Sequence, residues 1–263
     1  MEIFETVTEL IQSGKSIALA IIIKTKGSTP RRTGAKMIVL KDGKTNGTMG
    51  GGDLEKRVIE EAMETIRQGE PRIASFTLDM EKGKLDMMCG GELDVYIEPI
   101  LPKEKLIIFG AGHITRVLAP LMQMAGFRVS VVDDSPDLLQ NEKFAEIDDL
   151  KLANMEQFAK DLQSDPSTYI VTLLRGFSKD EAILHQLINK DLKYIGMIGS
   201  RRKITTMRES LEREGVAKEA FSKLKAPIGL DIGAETPEEI AISIAAEIIA
   251  AKKGKLHLFS KGE

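Results

Sequence analysis

A chain of 263 residues with 37 basic and 40 acidic side chains carries a formal net charge of −3, which excludes a general electrostatic attraction to nucleic acid or to an anionic membrane surface. Hydrophobic residues at 42% and charged residues at 29% are the proportions of a soluble globular protein, and the length allows two domains with their own cores. A single cysteine, Cys89, excludes an internal disulfide and a cysteine-rich zinc cage, while His113, His185 and His257 are too scattered for metal-ligand spacing.

The first ten residues carry acids where a signal peptide needs a basic start, and no segment has the length of a membrane span, so the sequence reads as cytoplasmic. Ile3, Phe4, Val7, Leu10 and Ile11 share one helical face, closed by Gly14. Residues 16–25 and 35–40 read as apolar strands, and Asp42-Gly43 is a hairpin turn signal. The loop between these strands, Lys26 to Gly34, holds glycines, hydroxyls and the adjacent Arg31 and Arg32. Arginine forks pair with phosphate or carboxylate oxygens, so the loop suits an anion, although a solvated connection has the same composition.

Gly50-Gly51-Gly52 stands directly before a helical pattern that runs from Leu54 to Ile66 and ends at Gly69. The three glycines make a second place where bare backbone meets a helix start, with Asp53 as the candidate N-cap. Residues 72–78 read as a strand. Cys89-Gly90-Gly91 then leads into Leu93, Val95 and Ile97, which alternate with polar residues as a half-exposed strand. Taken alone, such a cysteine is more often an inert buried hydrophobe than a reactive group. Pro99 and Pro102 flank a short junction, which places the boundary between residues 1–101 and 102–263.

Beyond the boundary the apolar pattern changes period twice. Leu106 to Phe109 suits a strand buried on both faces, Gly110-Ala111-Gly112 breaks it, and Ile114 to Ala125 has helical spacing. Residues 128–132 read as a second strand that ends at Asp133 and Asp134. This is the order of a dinucleotide site. Gly110 and Gly112 expose the helix N-terminus, beside His113, to a pyrophosphate, and Asp133 is placed to accept hydrogen bonds from a ribose, with NAD as the expected dinucleotide. A glycine turn that binds nothing is the plain alternative. Thr115 stands where the third glycine of the fingerprint would let the helix pack closely on the strand, so the helix is expected to sit further out.

Strands at 168–174 and 193–198 alternate with helices, continuing a doubly wound sheet. Ser200 and Arg201 open a helix with a hydroxyl and cations at a strand end, where open sheets bind ligands. Thr236, Pro237 and Glu239 form a capping box before a final helix. The fold class is therefore α/β: a C-terminal Rossmann-like doubly wound parallel sheet with a smaller N-terminal α+β domain.

Taken together, GSTPRRTGAKMIV, GTMGGGDLE, MCGGELDVYIEP, LIIFGAGHI followed by VVDD, IGMIGSRRK and PIGLDIGAETPEEIAISIAAEI resemble the XdhC/CoxI family, the xanthine dehydrogenase accessory factors. The resemblance implies a non-catalytic maturation factor that binds molybdenum cofactor transiently, supports its sulfuration and delivers it to a molybdenum hydroxylase such as xanthine dehydrogenase. It implies a cysteine desulfurase as sulfur donor and a homodimer, with no nucleic acid or membrane partner. It also makes Cys89 the residue associated with the cofactor, the one soft ligand in a chain whose arginines and glycines suit the phosphate and pterin. Two other readings stay open. One is an NAD-dependent oxidoreductase acting on a small carbonyl or hydroxyl substrate; the other is a nucleotide-sensing scaffold.

Overall fold

A computed structural model of the chain describes residues 2–78, 90–147, 149–163, 166–174 and 176–259. It divides into two compact units, Met1–Pro102 and Lys103–Glu263.

In the first unit, helix α1 (Glu2–Gln12) precedes strands β1 (Ile17–Lys26), β2 (Lys36–Leu40) and β3 (Thr45–Gly47), helix α2 (Gly52–Gln68), and strands β4 (Arg72–Thr77) and β5 (Glu92–Ile100). The strands form one antiparallel sheet in the order β3-β2-β1-β5-β4. Successive strand side chains point to opposite faces. Ala18, Ala20 and Ile22 of β1 pack with Leu54, Val58 and Ala62 of α2, whereas Ile17 and Leu19 pack with Val7 of α1. Burial on both faces explains why β1 reads as a continuous apolar run. Strand β5 is longer than its alternating core and includes Pro99. This proline lies beyond Ile97, the last residue that β4 covers, so its missing N–H leaves no gap in that ladder.

The second unit has strands β6 (Lys105–Phe109), β7 (Arg128–Asp133), β8 (Asp149–Leu152), β9 (Thr168–Thr172), β10 (Tyr194–Met197) and β11 (Leu224–Lys225). Between and after them run helices α3 (His113–Met124), α4 (Pro136–Leu139), α5 (Met155–Asp161), α6 (Phe177–Leu187), α7 (Arg201–Arg213) and α8 (Pro237–Lys252). All strand pairs are parallel, in the order β11-β10-β9-β6-β7-β8. The chain starts in the middle, winds outward through β7 and β8, then returns to the other side of β6 at β9. That reversal is the switch point at which doubly wound sheets open a crevice.

Leu106 and Ile108 face the layer that contains Leu118 of α3 and Ile244 of α8, while Ile107 and Phe109 face Ile183 and Met207 of α6 and α7. The α/β class, with its parallel Rossmann sheet and separate antiparallel sheet, is the one the sequence predicts. At α8 the capping box is complete, since Thr236 accepts from Glu239 N–H and the Glu239 carboxylate accepts from Thr236 N–H. Among the described residues no helix is long and apolar enough to cross a membrane.

Candidate functional site

Three glycine-bearing segments leave the first unit's sheet at one end. Strand register sets this: Lys26, the last residue of β1, pairs with Glu92, the first of β5, and Gly47 at the end of β3 pairs with Met37 near the start of β2. The arginine loop, the triple-glycine turn and Gly90-Gly91 are therefore neighbours. A Cβ on Gly91 would lie 2.2 Å from the Ser28 carbonyl oxygen, and one on Gly50 would lie 2.5 Å from Pro30 Cβ, so both positions demand glycine because backbone meets another segment. Gly51 and Gly90 differ, since a Cβ on either meets nothing within 4 Å.

The turn before α2 is shaped by a residue outside the glycine motif. Glu55 Oε2 accepts from Thr48 Oγ1 at 2.6 Å, Met49 N–H at 3.0 Å and Gly51 N–H at 3.1 Å. The Thr48 hydroxyl, with the backbone donors and Arg31 in support, holds the Glu55 carboxyl below its ordinary range against the opposing effect of burial. Asp53 does not serve as the expected N-cap. The helix starts at Gly52, Gly51 takes the cap position, and no side chain caps through it, so Asp53 is an exposed acid inside the first turn. Arg31 and Arg32 are exposed, and among the described residues neither has an ion-pair partner. Cys89 lies outside the described residues.

In the second unit Gly110, Gly112, His113 and Asp133 surround a cleft of about 450 Å³ at the C-terminal edge of the sheet. Gly110 has φ +101°, and its Cβ would come 2.9 Å from the Leu173 carbonyl oxygen. Gly112 has an ordinary φ and nothing within 4 Å of a built Cβ. The turn's own packing thus explains Gly110 but not Gly112, whose bare backbone looks into free space. Helix α3 has no side-chain cap and no acid in its first turn, so none of its own side chains answers the positive end of its dipole.

Thr115 is buried, and its hydroxyl donates to the Gly110 carbonyl, so the residue in the third glycine position braces the turn. Asp133 is 4% exposed, with Oδ2 accepting from Ala111 N–H at 2.6 Å and Oδ1 from Ser135 N–H at 2.8 Å. The acid assigned to a ribose spends one bond from each oxygen on backbone.

Sequence reading also missed part of this cleft. Arg116 and Lys179 bring positive charge to its lining, and Lys179 pairs with Asp134 at 2.7 Å. Their signal was faint: Arg116 sits one helical turn after Gly112, but Lys179 lies 45 residues from the acid it meets. Ser200 caps α7 by accepting from Lys203 N–H at 3.3 Å, and neither it nor the exposed Arg201 lines the cleft. Lys203 instead pairs with the fully buried Asp180, whose carboxyl is pushed up by burial although the lysine opposes it. Among the described residues no group of three or more His, Cys, Asp or Glu is placed to hold a metal ion.

The family model described as the XdhC Rossmann domain matches residues 106–248, and the one described as the XdhC and CoxI family matches residues 10–77. The chain belongs to the XdhC and CoxI family. Among relatives with family likeness, the uncharacterized protein YqeB of Escherichia coli K12 is 35% identical over 260 residues, covering 96% of this chain and 46% of YqeB. A probable xanthine dehydrogenase subunit from Bacillus subtilis is 36% identical over 160 residues, covering 61% of this chain and 46% of its own.

The chain thus spans about half the length of these two relatives. The molybdenum cofactor insertion chaperone PaoD of Escherichia coli K12 is 20% identical over 273 residues, covering 93% of this chain and 86% of PaoD. The crystal structure of a xanthine dehydrogenase from Bacillus halodurans shares the fold, with a TM-score of 0.53 at 24% identity over 95% of this chain and 96% of its own. Cys89-Gly90-Gly91 falls between the two XdhC matches, which stop at residue 77 and resume at 106.

Proposed function

We propose that this protein is an accessory factor that binds molybdenum cofactor as cargo, supports its sulfuration and delivers it to a molybdenum hydroxylase such as xanthine dehydrogenase. The observation that carries the reading is the meeting of the arginine loop, the triple-glycine turn and Gly90-Gly91 at one end of the first sheet. The cofactor carries a phosphate, a pterin with polar edges and a metal held by sulfur. Arg31 and Arg32 offer charged forks to the phosphate, and the main chain at Gly90, where a side chain would meet nothing, leaves room for the pterin's polar edge. Cys89 supplies the soft ligand. Family membership and likeness to PaoD support the same role. Such a carrier works in the cytoplasm with a cysteine desulfurase as sulfur donor, and it acts as a homodimer, which light scattering after size exclusion would test.

The decisive experiment compares purified parent and Cys89→Ala after incubation with molybdenum cofactor, measuring molybdenum retained per chain. The variant is expected to retain at least about tenfold less. Equal retention would remove the thiolate from the proposal, and no retention by the parent would end the carrier reading.

The second unit's cleft favours an additional role as a nucleotide site, because Gly112 and the uncapped start of α3 face free space beside Arg116. NAD is the first ligand to titrate there. Binding without any substrate-dependent change in NADH absorbance separates a sensing or structural nucleotide from an oxidoreductase.

A further inference from the structure

The carrier reading above makes no use of Glu55, yet this side chain gathers three donors at the triple-glycine turn. Its Oε2 gathers the Thr48 hydroxyl and the Met49 and Gly51 N–H groups, and Thr48 Oγ1 in turn accepts from Gly50 N–H at 3.0 Å. These bonds close residues 48–51 into an arc at the head of α2. Gly50, within the arc at φ +114°, presses on Pro30 so closely that a Cβ would stand 2.7 Å from Pro30 Cγ as well as 2.5 Å from Pro30 Cβ. The next residue is Arg31, whose charge acts on Glu55. One carboxylate therefore fixes the glycine arc directly, and the arc lies close against Pro30 in the arginine loop.

Helix capping alone does not account for this arrangement. A cap satisfies N–H groups of the first turn, whereas Glu55 reaches back past the helix start to a hydroxyl and an amide in the loop before it. We propose that Glu55 is the positioning residue of the cofactor cradle, holding the triple-glycine turn and the loop of Arg31 and Arg32 in the shape that receives the cofactor's phosphate and pterin. It needs no contact with the cofactor to do so. The proposal rests on the carrier reading and names which side chain prepares its site.

The test measures the dissociation constant of molybdenum cofactor for the parent, Glu55→Ala, Glu55→Gln and Thr48→Val, with melting temperatures and backbone amide NMR spectra of the cofactor-free proteins. Glu55→Ala is expected to weaken binding at least about tenfold. Glu55→Gln keeps an acceptor oxygen at the same reach and is expected to stay within about threefold of the parent. In the cofactor-free Glu55→Ala spectrum, the amide signals of Arg31 and Arg32 should shift along with those of Met49 and Gly51, because the Gly50–Pro30 contact relays the change. A capping role would move the latter pair alone. If Glu55→Ala does not fold, Thr48→Val, which removes one of the three donors, carries the test with an expected loss of about threefold.

Unchanged affinity with a parent that binds normally would overturn the positioning role and leave the carrier standing. Tighter binding by Glu55→Ala would also overturn it, since the arc would then be a ligand nest that the carboxylate occupies. Failure of the parent to bind would overturn the carrier and this inference together.

Discussion

Both units secure a glycine turn with one carboxylate, but the second unit takes it from the sheet and the first from the helix that the turn begins. Asp133 ends β7, is almost fully buried, and divides its oxygens between Ala111 and Ser135. Glu55 sits in the first turn of α2, is partly buried, and collects its three donors on one oxygen. A latch rooted in a central strand releases only when the sheet does. One rooted in a helix start can titrate or swing while the sheet stays intact. The comparison predicts a preformed turn in the second unit and an adjustable one in the first, as the proposed carrier role requires.

The largest effect should come from breaking the buried latch. Asp133→Ala strands two N–H groups without acceptors, and at about 1–3 kcal/mol for each buried unsatisfied donor the loss is about 2–6 kcal/mol. Urea unfolding followed by circular dichroism would show it, and a loss under about 1 kcal/mol would mean that water or a neighbour replaces the carboxylate. Asp133→Asn keeps one acceptor oxygen and should lose less.

Next in size come the glycines that touch other backbone. Gly91→Ala places a methyl 2.2 Å from the Ser28 carbonyl, an overlap no rotamer relieves, and should cost about 1–3 kcal/mol. Gly90→Ala, one residue earlier, meets nothing and should fall within about 0.5 kcal/mol of the parent in the same unfolding assay. Equal penalties at the two sites would contradict the close approach of these segments.

How far the sequence revealed these features depended on whether a residue's chemistry has one use or several. The strand, glycine turn, helix and terminal acid of the second unit were legible because each changes the hydrophobic period, and Thr236 with Glu239 was legible because a capping box has a fixed spacing. Asp133 was found, but its backbone bonds were not, since an acid at a strand end can accept from a ribose or from an amide with the same atoms. Glu55 escaped because its partners lie seven, six and four residues before it, a spacing that belongs to no capping motif. Asp53 was misplaced because glycines at positive φ carry the chain into α2, a conformation composition alone does not specify.

The two glycines of the Rossmann turn sharpen the contrast between structural and ligand-facing positions. Gly110→Ala forces a positive φ on an L side chain and drives a methyl toward Leu173 and Leu174, so its stability loss should resemble that of Gly91→Ala. Gly112→Ala should leave the unfolding midpoint unchanged and weaken whatever phosphate-bearing ligand the cleft takes, read by calorimetric titration with NAD. A destabilised Gly112→Ala protein would return that glycine to a purely structural role.

The smallest effect tests whether the cradle's latch titrates. Hydrogen bonding, led by Thr48, holds the folded carboxyl of Glu55 below its ordinary 4.5, so the folded protein binds that proton less readily than the unfolded chain. Its contribution to stability is therefore complete above pH 4.5 and is lost as the pH falls through the lower folded value. Glu55→Gln has no proton to gain there. The difference in melting temperature between parent and Glu55→Gln should be constant from neutral pH down to about 5 and narrow below it, because only the parent then surrenders a charged acceptor. A difference that stayed constant through the acid range would show that the three donors favour an oxygen regardless of its charge, and the first unit's latch would be as indifferent to pH as an amide.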